Sequence, residues 1–159
     1  MTPGTWTAAE CWTPGGSSSG YAAPSQTLLP TLLKWQLLFE DPFAQTLWLA
    51  RATPRSWLAP GKNVSISRGP SSYGRLSYSL IGSATDRITA TILLAAGFQW
   101  PSGGIQLRLR SPSFPQKKLS SVLVSGQPWA HFNSTLETVT FEAKPADKTA
   151  LQNIVAKFA

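Results

Sequence analysis

The sequence predicts a mainly β chain, an antiparallel β-sandwich preceded by one short helix and an irregular N-terminal segment. Three observations carry this reading. Beyond Leu47, apolar and polar residues alternate with period two in run after run; turns rich in Gly and Pro separate the runs; and one leucine-rich stretch ahead of them follows helical spacing instead.

Residues 1–26 hold Pro3-Gly4, Pro14-Gly15-Gly16 and Ser17-Ser18-Ser19-Gly20, clusters whose backbone entropy opposes regular structure, so this segment is read as irregular. Residues 27–46 are read as a helical linker. Leu28, Leu29, Leu32, Leu33, Leu37, Leu38 and Phe39 fall near i, i+3/4, i+7 spacing, which predicts a helix over about 31–40. Pro30 suits a first turn, and Pro42 ends the helix by pushing Asp41 out of the α region. Residues 47–159 form the sandwich domain. Its strands are marked by Val64 and Ile66; by Leu76, Tyr78 and Leu80; by Ile88, Ala90, Ile92 and Leu94; and by Ile105, Leu107 and Leu109. Val122 with Val124, Val139 with Phe141, and Ile154 to Phe158 complete the series, with a turn expected at Gly126.

Composition narrows the function classes. The 159 residues include 14 Lys plus Arg against 7 Asp plus Glu, a formal charge of +7, and one Cys with one His. A single Cys11 excludes an intramolecular disulfide, and one Cys with one His cannot build a Cys/His zinc site, so no metal and no cofactor are expected. No uninterrupted apolar run reaches the length of a membrane-spanning helix, and Met1 to Gly20 lacks the apolar core of a signal peptide. No membrane partner is expected, and the compartment is left open. Up to Ala50 one lysine faces three acids, a balance of −2; beyond it thirteen basic residues face four acidic ones, a balance of +9. Such a surplus can mark a polyanionic partner. Only Lys117 and Lys118 are adjacent, however, and dispersed arginines read first as solvated strand faces, which disfavours nucleic acid.

Residues able to carry catalysis are few. Of the carboxylates, Glu40 and Asp41 sit side by side at the expected helix end. Glu137 and Glu142 mark the two ends of one strand, at odd and even positions that face opposite sides unless a bulge intervenes. His131 has no G-x-S-x-G serine to serve, so no catalytic residue is assigned. Trp100 and Trp129 border turns, where an indole can stack on a sugar ring or seal the end of a core.

The stretch LWLARATPRSWLAPGKNVSISRGPSSYGRLSYSL (residues 47–80) resembles a segment of large bacterial six-hairpin glycosidase-like proteins, in which an (α/α)6 barrel precedes a C-terminal β-sandwich. The resemblance continues through IQLRLRSP (105–112), SVLVSGQPW (121–129), ETVTF (137–141) and IVAKF (154–158). Where the family has an APTRFG-like turn, this chain has Gly69-Pro70-Ser71-Ser72-Tyr73-Gly74, without the arginine. The resemblance implies a sandwich without the barrel's catalytic carboxylates, present as a fragment, a truncated product or a domain that stands alone. It implies a missing or separate barrel as partner, with Arg55, Trp57 and Tyr73 as interface residues.

The function expected from the sequence is therefore a non-catalytic β-sandwich accessory domain of a glycoside hydrolase-like protein. A stand-alone carbohydrate-binding module using Trp100 and Trp129 is an alternative; a basic nucleic-acid-binding domain is another.

Overall fold

The computed structural model of the chain describes residues 23–84, 86–142 and 150–159. Most of the irregular N-terminal segment, with Cys11, therefore lies outside the described residues. The described chain begins with helix α1 (Ala23–Leu37) and continues into a short hairpin, β1 (Leu38–Asp41) and β2 (Thr46–Leu49), followed by a 3-10 turn over Arg55–Leu58. Three long strands follow: β3 (Asn63–Ser71), β4 (Gly74–Ala84) and β5 (Arg87–Leu94). Next come β6 (Ile105–Arg108), β7 (Leu119–Val124), β8 (Gln127–Pro128), β9 (Phe132–Asn133), β10 (Thr138–Phe141) and β11 (Ala150–Phe158).

These strands form two sheets. The first has the order β1-β2-β6-β10-β9 and the second β3-β4-β5-β11-β7-β8. All pairings are antiparallel except β2 with β6, where Leu47 faces Ile105 and Leu49 faces Leu107 in parallel. The period-two pattern explains the layering: Ile105, Leu107 and Leu109 point inward at 0% exposure while Gln106, Arg108 and Arg110 point out. Leu80, Ile88, Ile92 and Ile154 do the same from the opposing sheet, so both inner faces merge into one core. Each large aliphatic side chain so buried contributes about 1.5–3 kcal/mol.

Four expectations at the helix need correction. The predicted helix over 31–40 in fact starts at Ala23 and stops at Leu37, and the residues assigned to a helical linker at 38–46 instead form β1 and the hairpin turn. The residues 23–26 expected to be irregular belong to the helix, and Pro30 sits in its interior rather than in its first turn. Leu38 and Phe39 satisfy helical spacing, but pairing Leu38 with Leu49 and Phe39 with Trp48 buries Leu38 to 1% exposure. That tertiary gain overrides a propensity worth only tenths of a kcal/mol per residue. The hairpin between β7 and β8 matches expectation. Ser125 and Gly126 both have positive φ, 51° and 80°, as a two-residue primed turn demands.

The 3-10 turn lies against the second sheet at a glycine. Gly82 N–H donates to Lys62 O (3.0 Å) and Gly61 N–H to Gly82 O (2.8 Å). A Cβ at Gly82 would collide with the carbonyl oxygens of Leu58 and Ala59, so only glycine allows this approach.

Candidate functional site

Trp100 and Trp129, singled out as sugar platforms, are both half-buried and packed against the core. The Trp100 indole N–H donates to Glu142 O (3.3 Å) and the Trp129 indole N–H to Thr140 O (3.1 Å). Trp129 lies 5.4 Å from the Phe141 ring and 5.5 Å from the His131 ring, in tilted contacts. Both rings thus seal the β10 side of the sandwich. His131 lies 3.8 Å from the Glu142 carboxylate, with both side chains more than half exposed, a geometry of little energetic weight.

The most strongly engaged charged group is one the sequence left unassigned. Glu137 does not sit on a strand face; it occupies the turn before β10, with a left-handed φ of 55° and 1% exposure. The Arg55 guanidinium grips it in fork geometry, Nη1 to Oε1 at 2.8 Å and Nη2 to Oε2 at 2.7 Å. Ser111 N–H also donates to Oε1 (2.8 Å), Arg55 Nη1 donates to Ser111 O (2.8 Å), and Leu109 N–H donates to Glu137 O (2.8 Å). Three segments far apart in sequence are thereby tied at one end of the five-stranded sheet: the 3-10 turn, the chain after β6 and the turn before β10. Glu137 and Glu142 do not share a site, since the first is buried and the second is 73% exposed.

Of the three interface candidates, Arg55 turns its guanidinium inward to Glu137 and Tyr73 packs against the core, whereas Trp57 remains 41% exposed. Trp57 faces a groove of about 550 Å³ that it shares with Leu33, Leu37 and Val64. On α1, Leu33 opens into this groove, while Leu28, Leu32 and Trp35, each also about half exposed, do not line it. Helical spacing puts Leu28, Leu32 and Trp35 on one side. The helix is anchored at its end rather than along this face: Ala50 N–H donates to Leu37 O (2.7 Å) and Ala52 N–H to Gln36 O (3.0 Å). The Trp35 ring meets Phe39 edge-on at 6.2 Å. The leucine spacing was legible in the sequence, but its opening toward Trp57 depends on where the 3-10 turn packs.

Among the described residues no group of three or more His, Cys, Asp and Glu side chains is placed to hold a metal, and no helix is long and apolar enough to cross a membrane. Comparison with protein-family models, with curated proteins and with solved structures finds no match to this chain.

Proposed function

We propose that this chain is a non-catalytic β-sandwich accessory domain, and that it works by docking its α1 and Trp57 face onto an (α/α)6-barrel domain of the glycosidase-like kind. The observation that carries the reading is the apolar face itself. Leu28, Leu32, Leu33, Trp35 and Trp57 leave between 41% and 53% of their surfaces in water, so five of the ten large hydrophobic side chains exposed among the described residues gather on α1 and the 3-10 turn. Full burial of such a side chain contributes about 1.5–3 kcal/mol, so the half still exposed holds about 1 kcal/mol each for a partner. Supporting the absence of catalysis, the buried carboxylate Glu137 accepts three hydrogen bonds from Arg55 and Ser111 and is 1% exposed, so it is engaged internally rather than presented to a substrate.

The purified chain tests this. It is expected to enhance anilinonaphthalene sulfonate fluorescence and to self-associate in sedimentation velocity with rising concentration. The variant Leu32→Gln/Leu33→Gln/Trp57→Gln is expected to lose both properties while keeping its β circular-dichroism spectrum. A wild-type chain that stays monomeric and binds no dye refutes the proposal.

A further inference from the structure

The arginines that looked dispersed along the sequence converge on one end of the five-stranded sheet. Arg108 and Arg110 project outward from the β6 segment, alternating with the buried Leu107 and Leu109. Their guanidiniums are pinned by backbone carbonyls, Arg108 by two and Arg110 by one. Arg108 Nε donates to Leu136 O and Nη1 to Arg51 O, both at 3.2 Å, and Arg110 Nη1 donates to Thr53 O at 3.2 Å. Because β2 and β6 are parallel, the residues that follow each strand, Arg51 and Arg110 among them, emerge at the same end of the sheet. Arg51 lies there with its guanidinium 4.0 Å above the Phe39 ring.

Little negative charge answers them. Among the described residues no carboxylate forms an ion pair with Arg51, Arg108 or Arg110, and the nearby Glu137 is held by Arg55. Asp41, paired in register with Thr46 at the start of β2, stands at the opposite end of the sheet and caps its own turn through Phe43 N–H and Ala44 N–H. Thr53, fully buried, has a hydroxyl without a hydrogen-bond partner among the described residues, and so does the buried Arg110 Nε. Burial, followed by repulsion from Arg55 and Arg108, draws the Arg110 guanidinium below its ordinary pKa, and Glu137 counters only part of this.

We infer that Arg108 and Arg110 form a binding site for the oxyanion of a phosphate or sulfate group, with Arg51 and Arg55 adding to the field. Two backbone-pinned guanidiniums with spare N–H donors present the planar, preorganised forks that such oxygens accept. An anion bound there would also relieve the repulsion that Arg55 and Arg108 exert on Arg110. The site borders the α1 and Trp57 face, since Arg51 lies over Phe39 beside Trp35 and Arg55 shares the 3-10 turn with Trp57, but Arg108 and Arg110 are not part of that face and either assignment can fail without the other.

The test is isothermal titration calorimetry with sodium phosphate, with ionic strength held constant by chloride. The wild-type chain is expected to bind one phosphate. Arg108→Gln and Arg110→Gln are each expected to weaken it by about tenfold or more, the effect of losing a charge-assisted hydrogen bond. Arg68→Gln/Arg75→Gln removes two exposed arginines of the other sheet and is expected to leave binding unchanged. Glucose 6-phosphate then separates the sources: tighter binding than inorganic phosphate identifies an esterified ligand, and equal or weaker binding identifies the free ion. Circular dichroism verifies each fold; if Arg110→Gln does not fold, Arg108→Gln decides alone. Absence of binding beyond the chloride control, or an equal loss in the Arg68/Arg75 variant, overturns the inference.

Discussion

Replacing Arg55 by methionine isolates the contribution of the internal ion pair. The substitution keeps an unbranched stem but leaves the Glu137 carboxylate, 1% exposed, without its counter-charge. Two fork bonds of 2.8 and 2.7 Å disappear, together with the 2.8 Å bond to Ser111 O. Breaking a buried pair from one side costs about 3–5 kcal/mol. The lower end, about 3 kcal/mol, is expected because the Arg55 side chain is itself 26% exposed and its charge is partly solvated. Glu137→Leu is expected to cost about 1–3 kcal/mol, since Arg55 can turn to water but the buried Ser111 N–H loses its acceptor. In the double variant neither charge is stranded, so its cost falls short of the sum by a coupling energy of about 1–3 kcal/mol. Urea unfolding followed by tryptophan fluorescence measures all three. With a slope of about 2 kcal/mol per molar urea, the Arg55→Met midpoint drops by about 1.5 M. Single variants that each lose under about 1 kcal/mol, with no coupling, would place this pair with ordinary surface ion pairs and refute the reasoning.

Two further outcomes follow from the core. Tyr78 is 2% exposed, its hydroxyl donates to Leu37 O (2.9 Å), and burial pushes its phenol well above the ordinary value of 10.0. A pKa raised in the fold contributes stability that is complete below the unfolded value and lost above it. Stability is therefore expected to decline from about pH 10 upward, more steeply in the wild type than in Tyr78→Phe. Alkaline unfolding curves of the two proteins that run parallel would contradict this. Gly82→Ala is expected to destabilise by about 2 kcal/mol or more, because its Cβ meets backbone carbonyls that cannot rotate away; a thermal midpoint unchanged by the substitution would show that the 3-10 turn moves freely.

The sandwich was legible because a half-buried strand writes its own period. Ile88, Ala90 and Ile92 alternate with Thr89 and Thr91, whichever strand lay beside them, and only Leu93 departs from the pattern. The turn at Ser125-Gly126 was legible for a similar reason, since positive φ restricts the residues that can occupy it. β1 was not legible. Four residues with leucine and phenylalanine satisfy a helix as well as a strand, and only the partner strand β2 decides between them. The apolar face of α1 could be counted from its leucines, but its exposure could not, because exposure depends on what packs above it.

The chain's own order of residues determined the class of fold, the positions of most long strands and the scarcity of catalytic side chains. These are local properties: side-chain period, turn stereochemistry and composition act over a few residues and need no knowledge of distant neighbours. Tertiary structure alone decided that Glu137 is an internal counter-charge to Arg55, 82 positions away, rather than the end of a strand. It also decided that Arg51, Arg108 and Arg110 gather at one end of a sheet, through the parallel register of β2 and β6. Coulomb interactions depend on distance in space and carry no period along the chain, so pairing and register, rather than spacing in the sequence, assign those charges their roles.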